Sequence, residues 1–281
     1  DVDAVHHLGG RLPRRSRRPP AVTVHDLQPL LRPENFSPAK RVFLARSLPR
    51  TARRADLLVA PSHAVADKLA SRLGVGADRL AVVSVGAERI ADGPNRPTDP
   101  PTVLYPAATY PHKNHLVLVE AFARIADRHP DARLVMTGGP GRADGEVRAA
   151  ASATGLGERI VLTGRIPVAE LDALLAGAAV VAFPSVYEGF GIPVLEALAA
   201  GVPVVVGAGT PAAEMAGDPA PVVDPSNPAA WAEALDLLLG DADRRHRVAR
   251  AGLTRVVGRT WEESAARLED AWRRLLAAGG S

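Results

Sequence analysis

Short apolar runs alternate with longer amphipathic stretches along the whole chain. The short runs are bounded by Gly, Pro, Asp or Ser and predict strands, whereas a 3.6-residue apolar period predicts helices. In the first third, strands are predicted at 2–6, 21–25, 56–60 and 80–84, and helices at 38–54 and 63–73. Strands and helices in this alternating order are typical of an α/β protein built on a parallel sheet.

The alternation continues beyond a stretch at 91–101 that is dense in Pro, Asp and Gly, which we interpret as an interdomain linker. Further strands are predicted at 102–105, 133–137, 160–163, 180–183, 202–206 and 221–223. Further helices are predicted at 113–129, 143–154, 168–176, 192–200, 228–239, 241–256 and 261–277. The last helix opens with Thr260 and Glu263, at the spacing of a capping box. We therefore divide the chain into domains at 1–97 and 98–260 and a terminal helix at 261–281.

Composition favours a packed globular protein over a disordered one. The chain has 281 residues, of which 47% are hydrophobic and 23% charged. It contains no cysteine, which excludes disulfides, and no apolar run reaches the length of a membrane span. We find no secretory signal, so the expected location is the cytoplasm.

Charge is distributed unevenly. Residues 1–97 carry 17 Lys and Arg against 9 Asp and Glu, whereas residues 98–281 carry 17 against 22. Such a basic half is most often a solvated surface. The alternative is attraction to an anionic membrane, worth about 1 kcal/mol per basic residue near the surface. Few aromatics lie among the basic residues, so binding of nucleic acid is not expected.

The stretch PSVYEGFGIPVLEALAAGVPVV at 184–205 carries the most chemistry. An apolar strand pattern ends at a Pro-Ser turn, and a helix pattern opens at Gly189-Phe190-Gly191. Free N–H groups at a helix N-terminus favour an anion such as a phosphate. Glu188 precedes these amides and Glu196 lies further along the helix, so one carboxylate can bind a sugar and the other a ribose. Glycines alone would indicate only a strand-to-helix turn, but two flanking acids predict a nucleotide-sugar site.

Basic residues elsewhere suit the same ligand. Lys113 is predicted to open a helix, where the dipole disfavours a cation unless an anion such as a diphosphate binds there. His25 lies at a predicted strand end, where α/β proteins place ligands, and Asp26 either orients its ring or starts a turn. Gly138 and Gly139 follow another strand and let backbone approach a ligand closely.

The sequence gives little support for a metal site or for a catalytic nucleophile. Asp-x-Asp pairs occur at 1–3 and 241–243, but the second precedes a helix and suits a cap. No clustered His and Glu motif is present, and Ser185 lacks the Gly-x-Ser-x-Gly context of a hydrolase. We therefore expect neither a metal nor a cofactor. His6 and His7 are expected to pack or to face solvent.

These motifs resemble those of retaining glycosyltransferases of family 4 with the GT-B fold, which carry a Glu-x7-Glu signature. The resemblance covers nearly the whole chain. It rests on TVHDL at 23–27, RRADLLVAPSHAVADKL at 53–69, YPAATYPHKNHLVLVEAF at 105–122, LVMTGGPG at 134–141 and TWEESAARLEDAW at 260–272.

The resemblance implies an α/β architecture of two Rossmann-like domains facing a cleft, with a terminal helix that returns to the first domain. Family members carry further strands before this point, so the N-terminal, acceptor-side domain is expected to be incomplete. The family also commonly has an Arg five residues before the Lys, where this chain has Ala108. His112 is either the replacement for this Arg or a solvated turn residue, and His115 is a weaker candidate for the replacement.

The implied function is retaining, metal-independent transfer of a mannose-type or glucose-type hexose from a nucleotide diphosphate sugar to a glycan or lipid-linked acceptor. His25, Lys113 and Glu188 are then expected to be catalytic. The expected donor-binding residues are His112, Gly138, Gly139, Arg165, Ile166, Gly189, Phe190, Gly191, Ile192 and Glu196. The 165–166 loop would lie against the base, and the enzyme could sit at the inner face of the membrane. The alternative is a non-catalytic nucleotide-sugar-binding subunit or a truncated remnant, completed by a second chain.

Overall fold

A computed structural model describes residues 2–13, 19–87 and 91–279 and contains two parallel sheets. Contacts divide the chain into two units. The first comprises residues 1–88, 188–190 and 258–281, and the second comprises residues 89–187 and 191–257. The predicted α/β class with parallel strands is confirmed.

The first unit is built on a four-stranded sheet in the order β1-β2-β3-β4. Its strands are β1 (Val5–His7), β2 (Pro20–Thr23), β3 (Leu57–Ala60) and β4 (Leu80–Val82). Its helices are α1 (Gln28–Leu31), α2 (Pro38–Arg54), α3 (His63–Leu73) and α11 (Trp261–Gly279).

Both faces of this sheet are covered. Leu58 and Ala60 of β3 pack with Val65 and Leu69 of α3. The alternate residues Leu57 and Val59 pack on the other face with Ala271 and Leu275 of α11. Because successive side chains of a strand point to opposite faces, a strand covered on both sides needs a continuous apolar run, which Leu-Leu-Val-Ala supplies.

His6 takes part in the same packing, as expected. Its Nδ1 accepts from the Trp272 indole N–H at 3.1 Å, and its Nε2 lies 2.9 Å from the Thr23 hydroxyl. Since the indole can only donate, the neutral ring carries its proton on Nε2 and donates to Thr23. Burial, followed by the charge of His7, lowers the pKa of His6.

The second unit is built on a six-stranded sheet in the order β10-β9-β8-β5-β6-β7. Its strands are β5 (Thr102–Pro106), β6 (Arg133–Thr137), β7 (Ile160–Gly164), β8 (Val180–Phe183), β9 (Val204–Gly207) and β10 (Val222–Val223). Its helices are α4 (His115–Ile125), α5 (Asp144–Ala153), α6 (Val168–Gly177), α7 (Ile192–Ala199), α8 (Pro211–Ala216), α9 (Pro228–Gly240) and α10 (Ala242–Val256).

The strand order of the second unit reverses between β5 and β8. The chain steps outward from β5 to β6 and β7, and it then returns to the other side of β5 to form β8, β9 and β10. The pairing of Val103 with Val180 joins the two central strands in parallel. Loops that leave their carboxyl ends run in opposite directions, and such a reversal is where open α/β sheets bind ligands.

The stretch predicted as a linker is packed against the second unit. The Asn95 N–H donates to the Gly201 carbonyl at 2.9 Å, and the Ala91 N–H donates to the Ala199 carbonyl at 2.7 Å. The Asn95 carboxamide donates to the carbonyls of Ala176 and Ala178 at 3.0 and 2.8 Å. Residues 91–97, predicted with the first domain, thus group with the second unit.

Several predicted elements are confirmed to the residue, including α2 and α3. Other helices and strands differ from their predicted bounds, because contacts with neighbouring elements override the local sequence propensity. The first strand begins at Val5, three residues later than predicted, and the short helices α1 and α8 were not predicted. In the part of the chain that the structure describes, no helix is long and apolar enough to cross a membrane.

Candidate functional site

Lys113 lies at the carboxyl end of β5, beside the strand reversal of the second unit. Residues Pro111–Lys113 form a single 3₁₀ turn, Asn114 follows with φ 59°, and α4 begins at His115. The prediction that Lys113 opens a helix is therefore wrong. Asn114 has a left-handed backbone and changes the chain direction between the turn and the helix, so Lys113 is not part of α4.

A layer of buried side chains holds the Lys113 backbone. Tyr105 is fully buried, and its hydroxyl donates to the Lys113 carbonyl at 2.5 Å. The same hydroxyl lies 3.2 Å from the Ser185 hydroxyl, which is also fully buried. The Lys113 ammonium lies 5.4 Å from the centre of the Phe183 ring. Side chains of β5 and β8 thus fix the position of Lys113.

His115 belongs to this layer rather than to the surface. It is only 2% exposed, and its Nε2–H donates to the Ala107 carbonyl at 3.2 Å. Burial lowers its pKa to about 4, so the ring is neutral at pH 7. The expectation that His115 could serve as a replacement cation is wrong. His112 is half-buried and its ring stacks with Tyr110 at 5.9 Å, and its predicted role stays a prediction.

The loops that follow β5, β8 and β10 are joined by hydrogen bonds. The Val186 N–H donates to the His112 carbonyl at 2.9 Å. The Asn114 carboxamide donates to the Pro184 carbonyl at 3.2 Å and to the Pro225 carbonyl at 2.6 Å. The structure therefore places the Lys113 loop directly beside the first residues of the 184–205 motif.

The glycine-rich loop after β6 packs on the loop after β5. A Cβ on Gly138, where φ is 144°, would lie 2.4 Å from the Ala107 carbonyl oxygen. Glycine is therefore required at this position by neighbouring backbone. A Cβ on Gly139 would lie 2.8 Å from Nε of Arg165, which follows β7 together with Ile166. These four predicted residues share one edge of the sheet, and their contact with a ligand stays a prediction.

The N-terminus of α7 offers backbone amides at the same edge of the sheet. Gly191, with φ 102°, precedes the helix, and the N–H groups of Val194 and Leu195 donate to its carbonyl. Pro193 has no N–H. Gly191 and Ile192 therefore supply the first backbone amides of the helix. Glu196 lies one turn after Ile192 on α7, and both side chains are exposed.

Three residues of the motif group instead with the first unit. The Ser62 hydroxyl donates to the Gly189 carbonyl at 2.9 Å, and a Cβ on Gly189 would lie 2.4 Å from the His25 carbonyl oxygen. Glu188 is half-buried and Phe190 buried. Within this unit, the motif therefore lies beside His25.

The position of His25 differs slightly from the prediction. Strand β2 ends at Thr23, so His25 lies in the loop beyond it, exposed, and its ring donates to the Leu8 carbonyl at 2.9 Å. Asp26 accepts from the Gln28 N–H at 2.9 Å. Of the two alternatives for Asp26, the structure favours the start of a turn, which leads into α1.

Comparison with known proteins assigns the chain to a family. The family model "Glycosyl transferases group 1" matches residues 87–255, and "Glycosyltransferase Family 4" matches residues 1–88. This chain belongs to the group 1 glycosyl transferases. The resemblance inferred from the motifs is thereby confirmed.

Two curated relatives of this glycosyl transferase are D-inositol 3-phosphate glycosyltransferases. The protein from Corynebacterium glutamicum is 31% identical over 243 residues, which cover 79% of this chain and 58% of the relative. The protein from Nocardia farcinica is 31% identical over 79% of this chain and 53% of the relative. The chain thus spans little more than half the length of these relatives.

Solved glycosyl transferases share the fold. Sucrose-phosphate synthase from Thermosynechococcus elongatus matches 94% of this chain and 70% of its own, with a TM-score of 0.78 at 23% identity. Anabaena HepE in complex with UDP and glucose matches 92% of this chain and 72% of its own, with a TM-score of 0.72 at 20% identity. These matches support the GT-B fold expected from the sequence.

The Asp-x-Asp pairs of this glycosyl transferase were expected to be structural. Asp241 accepts from the Arg244 N–H at 2.8 Å and caps α10, which confirms the expectation for the second pair. Asp1 of the first pair lies outside the described residues. Within residues 2–13, 19–87 and 91–279, no three His, Asp or Glu side chains are grouped so that they could hold a metal ion.

Three residues that support Lys113 were not among the predicted site residues, namely Tyr105, Asn114 and Ser185. Tyr105 lies in a predicted strand and Ser185 in a predicted turn, and no local sequence pattern indicates that their side chains are in contact. Asn114 offered a usable signal, because Asn is one of the few residues with a Cβ that readily adopts positive φ. An Asn before a helix pattern could have predicted the break between Lys113 and α4.

Proposed function

We propose that the chain forms the donor-binding and catalytic part of a retaining glycosyltransferase that moves a hexose from a nucleotide diphosphate sugar to a hydroxyl acceptor. One observation carries the proposal. The Lys113 loop and the loop that leads into Glu-x7-Glu are hydrogen-bonded neighbours at the strand reversal of the second unit. A cation and the N-terminal amides of α7 thus share one sheet edge, as binding of a diphosphate requires.

In the proposed reaction, the bond between the anomeric carbon and the diphosphate oxygen breaks, and its electron pair goes to the phosphate. Lys113 and the amides of Gly191 and Ile192 stabilise this growing negative charge, which is the contribution that accelerates the step. The acceptor hydroxyl attacks from the face that the diphosphate leaves, and the departing phosphate takes its proton. Configuration is thereby retained, and the proposal requires no metal ion.

The remaining predicted residues have binding roles in this proposal. Glu188 binds sugar hydroxyls and Glu196 binds the ribose, while His25 positions the reacting sugar. The loop of Arg165 and Ile166 lies against the base, and His112 supplements Lys113. Gly189 and Phe190 complete the turn before α7. Gly138 and Gly139, which lack side chains, let backbone approach the ligand closely at this edge of the sheet.

The acceptor is proposed only as a class, a glycan or a lipid-linked saccharide. The curated relatives are named for transfer to D-inositol 3-phosphate, and one structural neighbour binds UDP and glucose. A mannose-type or glucose-type hexose is therefore the first donor to test. A second chain or further residues could contribute to the acceptor side, and a non-catalytic donor-binding subunit remains the alternative proposal.

The proposal is tested by screening UDP-, GDP- and ADP-linked hexoses for thermal stabilisation, followed by calorimetry on the best donor. Transfer is then assayed with saccharide acceptors, and the anomeric configuration of the product is read by NMR. Donor binding with a retained configuration supports the enzyme. Donor binding without transfer to any of these acceptors supports the non-catalytic alternative. Inversion would contradict the proposed mechanism.

We also propose that α2 contacts an anionic membrane surface, which would place the enzyme at the inner face of the membrane. Helix α2 contains Lys40 and five arginines and no acidic residue. Val42 and Phe43 are 52% and 53% exposed, and the Arg11 guanidinium lies 5.1 Å from the centre of the Phe43 ring. Exposed apolar residues among basic ones are typical of helices that lie in a lipid interface.

A further inference from the structure

We propose that Asn114 is a positioning residue that holds Lys113 in place for the donor diphosphate, through both its left-handed backbone and its carboxamide. The inference rests on the proposed function of Lys113. The proposed reaction assigns Asn114 no contact with the substrate or the reacting atoms, so its role is a structural requirement that the motif itself does not reveal.

The backbone of Asn114 makes a turn that few residues can make. Its φ of 59° is positive, and among the described residues it is the one non-glycine residue with positive φ. A side chain with a Cβ is strained in this conformation, and Asn tolerates it better than most residues. The turn separates the 3₁₀ turn that ends at Lys113 from helix α4.

The side chain of Asn114 uses both of its N–H donors. One donates to the Pro184 carbonyl, directly after β8, and the other to the Pro225 carbonyl, after β10. A carboxamide has two donor hydrogens, so its donor capacity is fully used. One side chain therefore links the loops that follow three different strands of the sheet.

Lys113 is the residue on which these restraints converge. Its carbonyl accepts from Tyr105 on one side, and the preceding carbonyl of His112 accepts from the Val186 N–H. Asn114 adds further restraints on the residue that directly follows Lys113. Loss of Asn114 is expected to let the Lys113 loop separate from the 184–187 loop, which would move the ammonium away from the amides of α7.

A purely structural role can be separated from positioning because the chain contains a matched residue. Asn95 also donates its carboxamide to two backbone carbonyls, those of Ala176 and Ala178. Ala178 precedes β8, so Asn95 lies at the amino edge of the same sheet, opposite Lys113. Removing either carboxamide deletes two hydrogen bonds to backbone carbonyls, but only Asn114 lies beside the proposed donor site.

The experiment compares Asn114→Gly, Asn114→Ala and the control Asn95→Ala with the natural chain. Glycine at 114 keeps the positive φ and removes the carboxamide, whereas alanine loses both. Calorimetry with UDP-glucose and GDP-mannose gives donor affinity, the transfer assay gives kcat and KM, and amide hydrogen exchange reports on residues 111–114 and 184–187. Thermal unfolding shows whether each variant folds.

We expect Asn114→Ala to weaken donor binding about tenfold, because the Lys113 loop loses both its left-handed turn and its hydrogen bonds, and Asn114→Gly, which keeps the turn, to weaken it less. Hydrogen exchange at 111–114 and 184–187 should accelerate in both, whereas Asn95→Ala should lower the melting temperature without changing affinity.

Two results would overturn the inference. Unchanged exchange in Asn114→Gly and Asn114→Ala would show that Asn114 does not hold the loops. Faster exchange with unchanged affinity and kcat would show that the loops need not be held. If the natural chain bound no nucleotide sugar, the proposed function would fail, and the exchange data would still decide whether Asn114 fixes the Lys113 loop.

Discussion

The two units use the same layers but differ in how the chain winds through the sheet. In the first unit the strands follow one another in sequence order from β1 to β4, and every connection steps in the same direction. In the second unit the order reverses between β5 and β8. Only the reversal leaves two neighbouring loops that diverge from the sheet edge and make room for a ligand. The difference places the phosphate-binding chemistry of the proposal in the second unit.

Polar residues at strand ends serve different purposes in the two units. In the first, Asp26 starts a turn and Ser62 caps α3 by accepting from the Val65 N–H. In the second, Tyr105 and Asn114 join one loop to another. The second unit also caps helices in this way, with Thr210 after β9 and Asn227 after β10, so the links made by Tyr105 and Asn114 are what sets its proposed site apart.

The largest effect is expected from Lys113→Ala. The ammonium meets charge that grows in the transition state, so turnover should fall by about 10²–10³-fold, as for loss of one oxyanion donor. The melting temperature should change little. Lys68→Ala in the first unit is the control and should retain turnover. Equal losses in the two variants would remove the functional difference between the units.

We expect transfer to survive EDTA, because in the proposed function Lys113 and the α7 amides take the place of a metal ion. The measurement is turnover before and after dialysis against the chelator. Complete loss that is restored by manganese or magnesium would show that a metal carries the leaving group.

His115 should make the second unit sensitive to acid. Its folded pKa of about 4 lies below the ordinary value of 6.5, so the unfolded chain binds the proton more readily between these values. The resulting stability is complete above pH 6.5 and is lost as pH falls toward 4. Between pH 7 and 5 the loss should be about 2 kcal/mol.

The measurement for His115 is urea unfolding at pH 7 and 5 in the natural chain and in His115→Phe, which keeps a ring beside Tyr105. The variant should lose less stability on acidification than the natural chain does. Equal losses in both would show that His115 is not the group that titrates.

Glu196→Ala should weaken nucleotide-sugar binding about tenfold, since a hydrogen bond to a charged group contributes about 1.5–3 kcal/mol. Glu233 is also an exposed glutamate on a helix of the second unit, so Glu233→Ala is a matched control. Calorimetry with the best donor measures both. An unchanged affinity in Glu196→Ala would remove this residue from the site.

The smallest effect is expected at α2. Each basic residue near an anionic membrane contributes about 1 kcal/mol, so Arg46→Ala should weaken binding to vesicles of phosphatidylserine and phosphatidylcholine about fivefold. Donor affinity should stay unchanged. Flotation of the natural chain and the variant with these vesicles measures the difference. Absence of flotation in the natural chain, or binding that is equal on neutral vesicles, would contradict a membrane role for α2.

The sequence predicted the layers well and the site in part. Helices α2 and α3 carry strong periodic patterns bounded by Ser37 or Ser62 and by Gly74, so their limits could be read directly. The apolar run that begins at Leu116 follows Lys113 closely, so the periodic pattern places Lys113 in the helix, and Asn114 is the one residue in the sequence that signals the break. Contacts such as that between Tyr105 and Ser185 join residues 80 positions apart and leave no local pattern.

The glycines illustrate the same limit on what can be predicted from the sequence. Gly138 is predicted to let backbone approach a ligand closely, and the structure adds that its missing side chain makes room for the Ala107 backbone; its contact with a ligand stays a prediction. A positive φ or a close approach can be suspected from a glycine in a loop, but the identity of the neighbour is a property of the tertiary fold. The buried, neutral state of His115 is likewise set by its surroundings and not by its motif.

The most direct test of the central claim is a crystal structure of the chain with UDP. The account predicts that the diphosphate lies at the strand reversal of the second unit, with oxygens within hydrogen-bonding distance of the Lys113 ammonium and of the Gly191 or Ile192 N–H. The ribose should then face Glu196. A diphosphate bound away from Lys113 and from the N-terminus of α7 would contradict the account.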